Sequence, residues 1–339
     1  MSHSFEETQT LLEVVNLKKY YPVKGGIINH TVANIKAVDS VNFSIKRGET
    51  LGLVGESGCG KSTIGKQIVG LEKPTEGSIF YRNQDMVHLS KMKLAKIRTN
   101  LQMVFQDAYS SLNPRKHIYE ILSTPMLYHN IVTKNNVEKE VNRLLDLVGL
   151  PQNSKGRYPH EFSGGQRQRI GIAKALSLKP ELIVCDEPVS ALDVSIQTQI
   201  LNLLRQLQKD LNLTSLFIGH GLGAVNYVSD RIAVMYLGKI VEIAEAKEVF
   251  SNPLHPYTKA ICEAAPIPDP SVRREKAILL QGEIGSNTTL PSGCRFHPRC
   301  KFAIASCRIV EPELKPITLG SSHLVACDVV LAQKGEVSA

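Results

Sequence analysis

Tryptophan is absent from this chain of 339 residues, and aromatic residues make up only 6% of it. Long apolar runs are also missing, because no segment approaches the roughly 18 consecutive apolar residues of a membrane-spanning helix. The opening segment, MSHSFEETQT, lacks the basic and then apolar stretches of a secretory leader. We therefore expect a cytosolic chain that does not itself cross a membrane. With 42% hydrophobic residues, the chain has enough apolar content for a sizeable core, which argues against wholesale disorder.

Charge and cysteine content narrow the class of protein further. The net charge is +8, which permits contact with a nucleotide, anionic lipid or nucleic acid, although surplus lysine and arginine often only solvate a surface. Seven cysteines in a cytosolic chain argue against a disulfide framework. Four of them, Cys294, Cys300, Cys307 and Cys327, lie close together near the end of the chain. The length corresponds to about two domains of roughly 150 residues each.

Strand signals alternate with helical signals over most of the chain, which indicates a parallel α/β sheet. The predicted strands are residues 11–17, 41–45, 51–54, 182–185 and 215–218, and the predicted helices span residues 137–148, 164–178 and 194–209. Another helix is predicted to begin at Lys61, with Ile64, Ile68, Val69 and Leu71 on its apolar side. Residues 107–160 lack a parallel-strand signal and are predicted to form an inserted helical subdomain, and the proline-rich residues 265–270 a linker.

The sequence GESGCGKS at residues 55–62 fits the phosphate-loop pattern and lies between a predicted strand and a predicted helix. Its glycines let the backbone curl so that successive N–H groups point at phosphate oxygens. The start of the following helix adds its partial positive charge. Lys61 is expected to reach the β- and γ-phosphates, and the Ser62 hydroxyl to bind Mg²⁺.

Two further motifs are compatible with nucleotide chemistry. The apolar strand at residues 182–185 is followed by Asp186, a candidate Mg²⁺ ligand, and by Glu187, a candidate base that orients the attacking water. The segment FSGGQ at residues 162–166 opens a helix for which Ser163 is a plausible N-cap. This helix start is a second anion site without an obvious nucleotide of its own, as expected if it closes on the γ-phosphate that another subunit holds.

With these motifs in this order, residues 11 to about 250 resemble the ATP-binding subunit of an ABC transporter. The resemblance implies an α/β fold: a P-loop NTPase (RecA-like) core with an antiparallel β subdomain and an inserted α-helical subdomain at about residues 107–178. It also implies that Gln106 is the Q-loop glutamine, sensing Mg²⁺ and linking it to the transmembrane partner, and that His220 is the switch histidine. Tyr21 stands where the family places an aromatic against adenine.

The site residues that the resemblance implies fall into four groups. The catalytic residues are Glu187, His220 and Gln106, and the Mg²⁺ ligands are Ser62, Gln106 and Asp186. The ATP-binding residues are Tyr21, Gly55, Glu56, Ser57, Gly58, Cys59, Gly60, Lys61, Ser62 and Thr63. The residues that act on the partner's site are Ser163, Gly164, Gly165 and Gln166 of the signature and Asp193 of the D-loop. One departure is the segment Gly219-His220-Gly221, because the family usually has an acid after this histidine; either slower turnover or a weaker site of two would follow.

The segments at residues 108–115, 252–259 and 266–270, together with the terminal cysteines, resemble the dipeptide/oligopeptide branch of ABC importers. This resemblance implies an ATPase that powers peptide import, with nickel, glutathione or another solute as the alternative cargo. It implies as partners a second, paralogous ATP-binding subunit in a head-to-tail dimer, two transmembrane permease subunits and, indirectly, a solute-binding protein. Localisation at the cytoplasmic face of the cell membrane follows, with an ATPase domain at residues 1–255 and an extension at residues 256–339.

The four terminal cysteines have the spacing C-x5-C-x6-C-x19-C. Thiolate ligands suit Zn²⁺ and iron–sulfur clusters, but the tight C-x2-4-C knuckles of many structural zinc sites are absent here. Some members of the peptide-importer branch carry a [4Fe–4S] cluster in this region, so the resemblance favours such a cluster at Cys294, Cys300, Cys307 and Cys327. Zn²⁺ and free thiols remain alternatives, and His297 is expected to be a neighbour of the site, not a ligand.

Two other classes of protein compete with this interpretation. A soluble ABC ATPase acting on DNA or ribosomes would fit the positive charge. However, DNA-repair types carry a long coiled-coil insertion and translation types carry two cassettes, whereas this chain has neither, so we expect no nucleic-acid partner. An iron–sulfur redox protein with an incidental nucleotide site is the other alternative, which reversible electron transfer would support.

Overall fold

A computed structural model describes residues 10–25, 30–264 and 288–336. Residues 1–9 of the polar opening segment and the proposed linker at residues 265–270 lie outside these ranges. The strands are β1 (Thr10–Gly25), β2 (His30–Lys46), β3 (Thr50–Val54), β4 (Glu76–Tyr81), β5 (Gln84–Asp85), β6 (Leu101–Val104), β7 (Leu182–Asp186), β8 (Thr214–Gly219), β9 (Arg231–Tyr236), β10 (Lys239–Glu245), β11 (Lys315–Pro316) and β12 (Leu324–Val325). The helices are α1 (Lys61–Ile68), α2 (Lys91–Arg98), α3 (Ala108–Ser111), α4 (Ile118–Tyr128), α5 (Val137–Leu147), α6 (Gly164–Leu176), α7 (Val194–Leu211), α8 (Leu222–Val228), α9 (Ala246–Ser251), α10 (Pro256–Ala264) and α11 (Asp328–Glu336).

The central sheet has the strand order β11-β12-β10-β9-β3-β8-β7-β6. The five strands from β9 to β6 are parallel to one another, whereas β10, β12 and β11 add antiparallel pairs at one edge. Short, wholly buried strands such as β3 and β7 fit the middle of a parallel sheet that is covered on both faces. The carboxyl ends of β3, β8, β7 and β6 therefore meet at one edge of the sheet, and the loops that follow them can share a site.

A second sheet of four strands has the order β2-β1-β4-β5, and each pairing in it is antiparallel. The pairing of β1 with β2 runs from Thr10 with Lys46 to Gly25 with His30, and several register shifts interrupt it. These shifts are the positions of bulges or irregularities, which bend a long two-stranded ribbon. Several side chains of β1, including Leu12, Val14 and Leu17, are buried in the core.

Helices α3, α4, α5 and α6 lie between β6 and β7. The predicted helical stretch at residues 137–148 corresponds to α5, whose buried side chains Val137, Val141, Leu144 and Leu145 recur at helical spacing. Their apolar face joins the larger of two buried clusters, which also includes Ile183 and Phe217 of the central sheet. The smaller cluster contains Val184 and Leu216, so the two clusters occupy opposite faces of the central sheet.

The segment after residue 288 is joined to the same central sheet, because β12 pairs with β10. Glu242, the β10 residue opposite Val325 in this pairing, is fully buried and accepts hydrogen bonds from the backbone N–H groups of Leu254 and His255 at 2.9 and 2.8 Å. His323 Nε2 lies 2.7 Å from a Glu242 carboxylate oxygen. A buried carboxylate with this many hydrogen-bond partners is satisfied without water, so it fixes where the segment joins the sheet.

One detail of the sequence interpretation is wrong. Leu71 was expected on the apolar side of the first helix, but α1 ends at Ile68, and Leu71 is half exposed. The reason is Gly70, whose φ of +69° turns the chain away from the helix. Within the described ranges, no helix is long and apolar enough to span a membrane.

Candidate active site

The loop between β3 and α1 curls because two of its glycines adopt backbone angles that side chains disfavour. The φ angles of Gly58 and Gly60 are +77° and +109°. At Gly60 a Cβ atom would also lie 2.0 Å from the carbonyl oxygen of Ala37, which is an impossible contact. Only glycine therefore fits this position, directly before the first helical residue, Lys61.

Lys61 is buried and points into the loop from which it emerges. Its Nζ atom donates to the carbonyl oxygens of Gly55 and Glu56 at 2.7 and 3.0 Å, and it lies 3.7 Å from Cys59 Sγ. The ammonium thus lies at the centre of the curl, where a phosphate group would meet both the charge and the N–H groups at the start of α1. Cys59 is buried packing, and burial raises the pKa of its thiol.

Ser62 and Asp186 come together although 124 residues separate them, because β3 and β7 both end at this edge of the sheet. The Ser62 hydroxyl donates to Asp186 Oδ1 at 2.7 Å. Burial raises the pKa of the Asp186 carboxyl, the nearby charge of Glu187 adds to that rise, and the hydrogen bond from Ser62 opposes it. A hydroxyl and a carboxylate side by side are oxygen ligands of the type that Mg²⁺ prefers.

Glu187 follows Asp186 in a left-handed backbone conformation, with φ at +49°. Its side chain is buried, and one carboxylate oxygen lies 2.5 Å from His220 Nε2, at the end of β8. Backbone hydrogen bonds support the unusual conformation, because the Glu187 N–H donates to the Ile218 carbonyl at 3.0 Å and its carbonyl accepts from the N–H of Ser190. A non-glycine residue with φ in this region is often found at functional sites.

Gln106 and Tyr21 lie on other strands or loops than the Ser62, Asp186, Glu187 and His220 group. Gln106 is exposed and follows β6, the neighbour of β7 in the sheet. The Tyr21 hydroxyl donates to Glu72 at 2.6 Å, and burial together with this hydrogen bond raises the pKa of Tyr21 to about 12. The adjacent Tyr20 donates instead to Asp39, so the two tyrosines have different partners. Tyr21 lies on β1, and its side chain also forms a hydrogen bond with that of Thr63, the third residue of α1.

The signature segment forms the start of α6 as a capping box. The Ser163 hydroxyl accepts from the N–H of Gln166 at 3.3 Å, and the Gln166 side chain accepts from the N–H of Ser163 at 3.0 Å. Ser163 is exposed, while Gly165 is buried against Ile196 of α7. Asp193 is exposed as well and is the residue before α7. These residues form a helix start that is open to a partner.

Sequence analysis missed the residues that hold the phosphate loop from behind. The Arg299 guanidinium donates to both carboxylate oxygens of Glu56 at 3.0 and 3.2 Å, and the Tyr257 hydroxyl accepts from the Glu56 N–H at 3.0 Å. More than 200 residues separate these partners in sequence, so no local pattern could reveal the contact.

The four terminal cysteines line one cavity, which Phe296 and His297 also border. None of the four forms a disulfide, and Cys294 N–H donates to the carbonyl of Cys307 at 2.8 Å. Burial raises the pKa of the Cys294 thiol to about 11. Among the residues that the structure describes, no three His, Cys, Asp or Glu side chains are arranged to hold a metal ion. His297 contacts the Cys294 carbonyl through Nδ1 at 2.9 Å.

Comparison with known families agrees with this geometry. The ABC transporter family matches residues 38–190, which include the phosphate loop, the signature and the Asp186–Glu187 pair. A second family, described as the oligopeptide/dipeptide transporter C-terminal region, matches residues 241–307. The two matches follow one another along the chain, with residues 191–240 between them.

Curated relatives match over nearly the full length of the chain. The oligopeptide transport ATP-binding protein AppF of Bacillus subtilis is 52% identical over 94% of this chain and 97% of its own length. The oligopeptide transport ATP-binding protein OppF of Salmonella typhimurium is 47% identical, over 96% of this chain and 98% of its own. The dipeptide transport ATP-binding protein DppF of Haemophilus influenzae is 45% identical, over 96% and 99%.

Solved structures share the fold of the cassette. A dimeric ATP-binding cassette in a post-hydrolysis state bound to ADP and Pi has a TM-score of 0.62 and 29% identity, covering 69% of this chain and 98% of its own. CbiO1 from Clostridium perfringens, part of an ABC transporter complex, has a TM-score of 0.63 and 28% identity, covering 72% and 92%. These comparisons confirm the α/β cassette and the predicted resemblance. The chain belongs to the ABC transporter family of ATP-binding proteins, in its oligopeptide/dipeptide branch.

Proposed function

We propose that this chain binds MgATP at the phosphate loop and hydrolyses it to ADP and phosphate in order to power transport. The observation that carries the proposal is the convergence of Ser62, Asp186, Glu187 and His220 beside the loop, at the carboxyl ends of parallel strands. On this proposal Lys61 and the loop N–H groups hold the phosphates, and Ser62, Asp186 and Gln106 bind Mg²⁺.

Glu187 is the proposed base that orients the attacking water. It directly follows β7, one residue beyond the proposed Mg²⁺ ligand, so its carboxylate could accept a proton from a water between it and the γ-phosphorus. His220 now contacts the Glu187 carboxylate, and we propose that it contacts the γ-phosphate once ATP is bound. Its imidazole is present despite the neighbouring Gly221, which replaces the usual acid.

ATP hydrolysis on this proposal needs a second cassette. At the start of the signature helix, Ser163 is exposed and its capping box is formed. The first N–H groups of this helix could therefore bind an anion that another molecule holds. In a head-to-tail pair this surface, together with Asp193, would cover the γ-phosphate held by the partner. A similar cassette bound to ADP and Pi is dimeric. The pair of cassettes would be closed around ATP and open after hydrolysis. Because the closed and open states would bind the permease helices differently, ATP hydrolysis would drive their movement.

The proposed cargo is a di- or oligopeptide. The names of the relatives support this, since two are oligopeptide and one is a dipeptide transport ATP-binding protein. The proposed partners are two permease subunits, a paralogous cassette and, through the permeases, a solute-binding protein, with the chain at the cytoplasmic face of the membrane. Nickel or glutathione transport is the alternative, which uptake assays with the assembled system would reveal.

We propose for the terminal cysteines that Cys294, Cys300, Cys307 and Cys327 hold a [4Fe–4S] cluster. Four thiols that line one cavity are a donor set suited to such a cluster, although among the described residues no three His, Cys, Asp or Glu side chains are arranged to hold a metal ion. When bound, the cluster would cross-link a short segment that has little core of its own. Iron and acid-labile sulfide in stoichiometric amounts would support it, whereas zinc or metal-free thiols would contradict it.

The proposed division of the chain places the ATPase unit at residues 1–255 and the extension at residues 256–339. The family matches support a division into two units, since they assign residues 38–190 and 241–307 to different families, although the second match begins inside the proposed ATPase unit. The extension nevertheless continues the central sheet of the ATPase unit through β12, so the two units share one framework.

The substitution Glu187→Gln in the assembled transporter tests the proposed function. It keeps the size of the side chain and removes its basicity, so we expect ATP to bind normally while turnover falls by about 1,000-fold. Turnover is measured as phosphate release and binding by equilibrium titration of ATP. Near-normal hydrolysis in the variant would contradict the assignment of Glu187, and no hydrolysis by the unaltered complex would contradict the proposed function itself.

A further inference from the structure

Glu56, the second residue of the phosphate loop, is held at three points. Its N–H donates to the Tyr257 hydroxyl at 3.0 Å, its carbonyl accepts from Lys61 Nζ at 3.0 Å, and its carboxylate accepts the paired hydrogen bonds of Arg299. Two of these three partners come from outside the loop and its helix. The conformation of this loop position is therefore set largely by residues more than 200 positions further along the chain.

The backbone at Arg299 is held in place by contacts that do not involve the phosphate loop. It ends the short 3-10 turn His297–Arg299, where its N–H donates to the carbonyl of Phe296 at 3.0 Å. Phe296 is buried, and its ring packs against the rings of Tyr236 and Tyr257 with centroids 5.3 and 5.5 Å away. The Arg299 side chain is only 7% exposed. A guanidinium on such a rigid base loses little further freedom when it pairs with a carboxylate.

The charge of Glu56 gives this pair a consequence for nucleotide binding. A carboxylate on the phosphate loop would repel a triphosphate in the same loop, and the repulsion is strong where solvent is largely excluded. The Glu56 side chain is 21% exposed, so water screens it little. The two parallel hydrogen bonds from the Arg299 guanidinium neutralise this charge, and they also restrict rotation of the Glu56 carboxylate.

We propose that Arg299 is a positioning residue for ATP binding, because it fixes the Glu56 carboxylate and neutralises its charge beside the triphosphate. This inference rests on the ATPase function proposed above. The competing interpretation is that the pair only fastens the C-terminal segment to the ATPase unit. The two differ in what happens when the Glu56 charge is removed together with Arg299.

The test is a double-mutant cycle in the full-length chain, assembled with its permeases, with Arg299→Gln, Glu56→Gln and the double variant. Arg299→Gln leaves an unpaired carboxylate at the loop, so the KM for ATP should rise about tenfold while kcat stays within about twofold. Removing the carboxylate as well should return KM to within about threefold of the unaltered protein. ATP binding to the full chain, measured by titration, should follow KM.

Matched variants separate positioning from folding. Arg143→Gln breaks another two-bond Arg–Glu pair, with Glu140 on α5, and should leave KM unchanged. If Arg299→Gln does not fold, Arg299→Lys keeps the charge but loses the paired geometry, and should raise KM about threefold. Thermal melting of each variant verifies that it is folded at the assay temperature.

An unchanged KM in folded Arg299→Gln, or a raised KM that Glu56→Gln fails to restore, would overturn the positioning role. An absence of ATP hydrolysis by the unaltered complex would instead overturn the proposed function, so the two failures are distinguishable.

Discussion

The chain offers two surfaces for phosphate, and they are built in opposite ways. The phosphate loop is enclosed: Lys61 is buried in it, and Arg299 and Tyr257 hold it from behind. The signature at the start of α6 is open: Ser163 is exposed, and its hydrogen bonds are those of a capping box within its own helix. The phosphate loop is thus supported by contacts within its own chain, whereas the signature is accessible to another molecule.

This difference predicts which mutations should change ATP binding by the isolated chain and which should change ATP turnover by the assembled transporter. Changes at the enclosed loop should alter ATP binding by the isolated chain, because every supporting group is in that chain. Changes at the open surface should leave this binding intact and alter turnover only after assembly. The following predictions test this contrast, beginning with the largest expected effect.

Lys61→Ala should weaken ATP binding to the isolated chain by about 100-fold, because it removes a charge-assisted contact to phosphate from a buried position. Equilibrium titration with ATP measures the change. Lys96→Ala on the exposed surface of α2 is the control and should bind ATP normally. Unchanged affinity in folded Lys61→Ala would show that the enclosed loop is not the main phosphate site.

The stability of the region that contacts the phosphate loop should depend on pH through His255, which lies two residues before Tyr257. Burial lowers the pKa of His255 to about 4, so it stays neutral in the folded chain, whereas the unfolded chain takes up a proton below a pH of about 6.5. This contribution to stability is complete above that pH and is lost as the pH falls towards 4. Between pH 7 and 5 we expect His255 to lower the free energy of unfolding by about 2 kcal/mol.

His255→Asn isolates this effect in denaturant titrations at several pH values. The His255 Nδ1 atom accepts from the Tyr257 N–H at 3.1 Å, and an asparagine oxygen could take its place without titrating. The variant should therefore lose stability less steeply between pH 7 and 5. His129→Asn, at an exposed position, should leave the slope unchanged. Parallel curves for His255→Asn and the unaltered chain would contradict the prediction.

Ser163→Ala addresses the open surface and should have the smallest effect of the three. ATP affinity of the isolated chain should not change, while ATP turnover of the assembled transporter should fall about tenfold, since one ligand for the partner's γ-phosphate is lost. Phosphate release is the measurement. Ser90→Ala removes a comparable N-cap from α2 and should leave turnover unchanged. An equal loss in both variants would assign the effect to helix capping alone.

The parts of the site that sequence analysis could predict are those with local causes. Glycines at fixed spacing before a helix specify the loop, and Ser163 with Gln166 three residues later specifies the capping box. The apolar strand before Asp186 correctly predicted a buried strand at the site edge. The predictions of residue roles made from these motifs await the experiments above.

The contacts that sequence analysis could not predict join distant parts of the chain. Arg299 looks like any surface arginine in the sequence, and its burial against Glu56 depends on how the C-terminal segment packs on Tyr236 and Tyr257. The pairing of β12 with β10 was missed because two-residue strands carry no alternating pattern. Such contacts are decided by tertiary packing, which residue type and spacing do not encode.

The join between β10 and β12 also bears on solubility. Without the C-terminal segment, β10 would be an edge strand with unpaired N–H and C=O groups, and most of its side chains are apolar and now buried. The Glu242 carboxylate would lose its buried histidine partner at the same time. A chain shortened before residue 288 would therefore expose an edge strand that can pair with other chains. The C-terminal segment thus protects the protein against aggregation, in addition to contacting the phosphate loop.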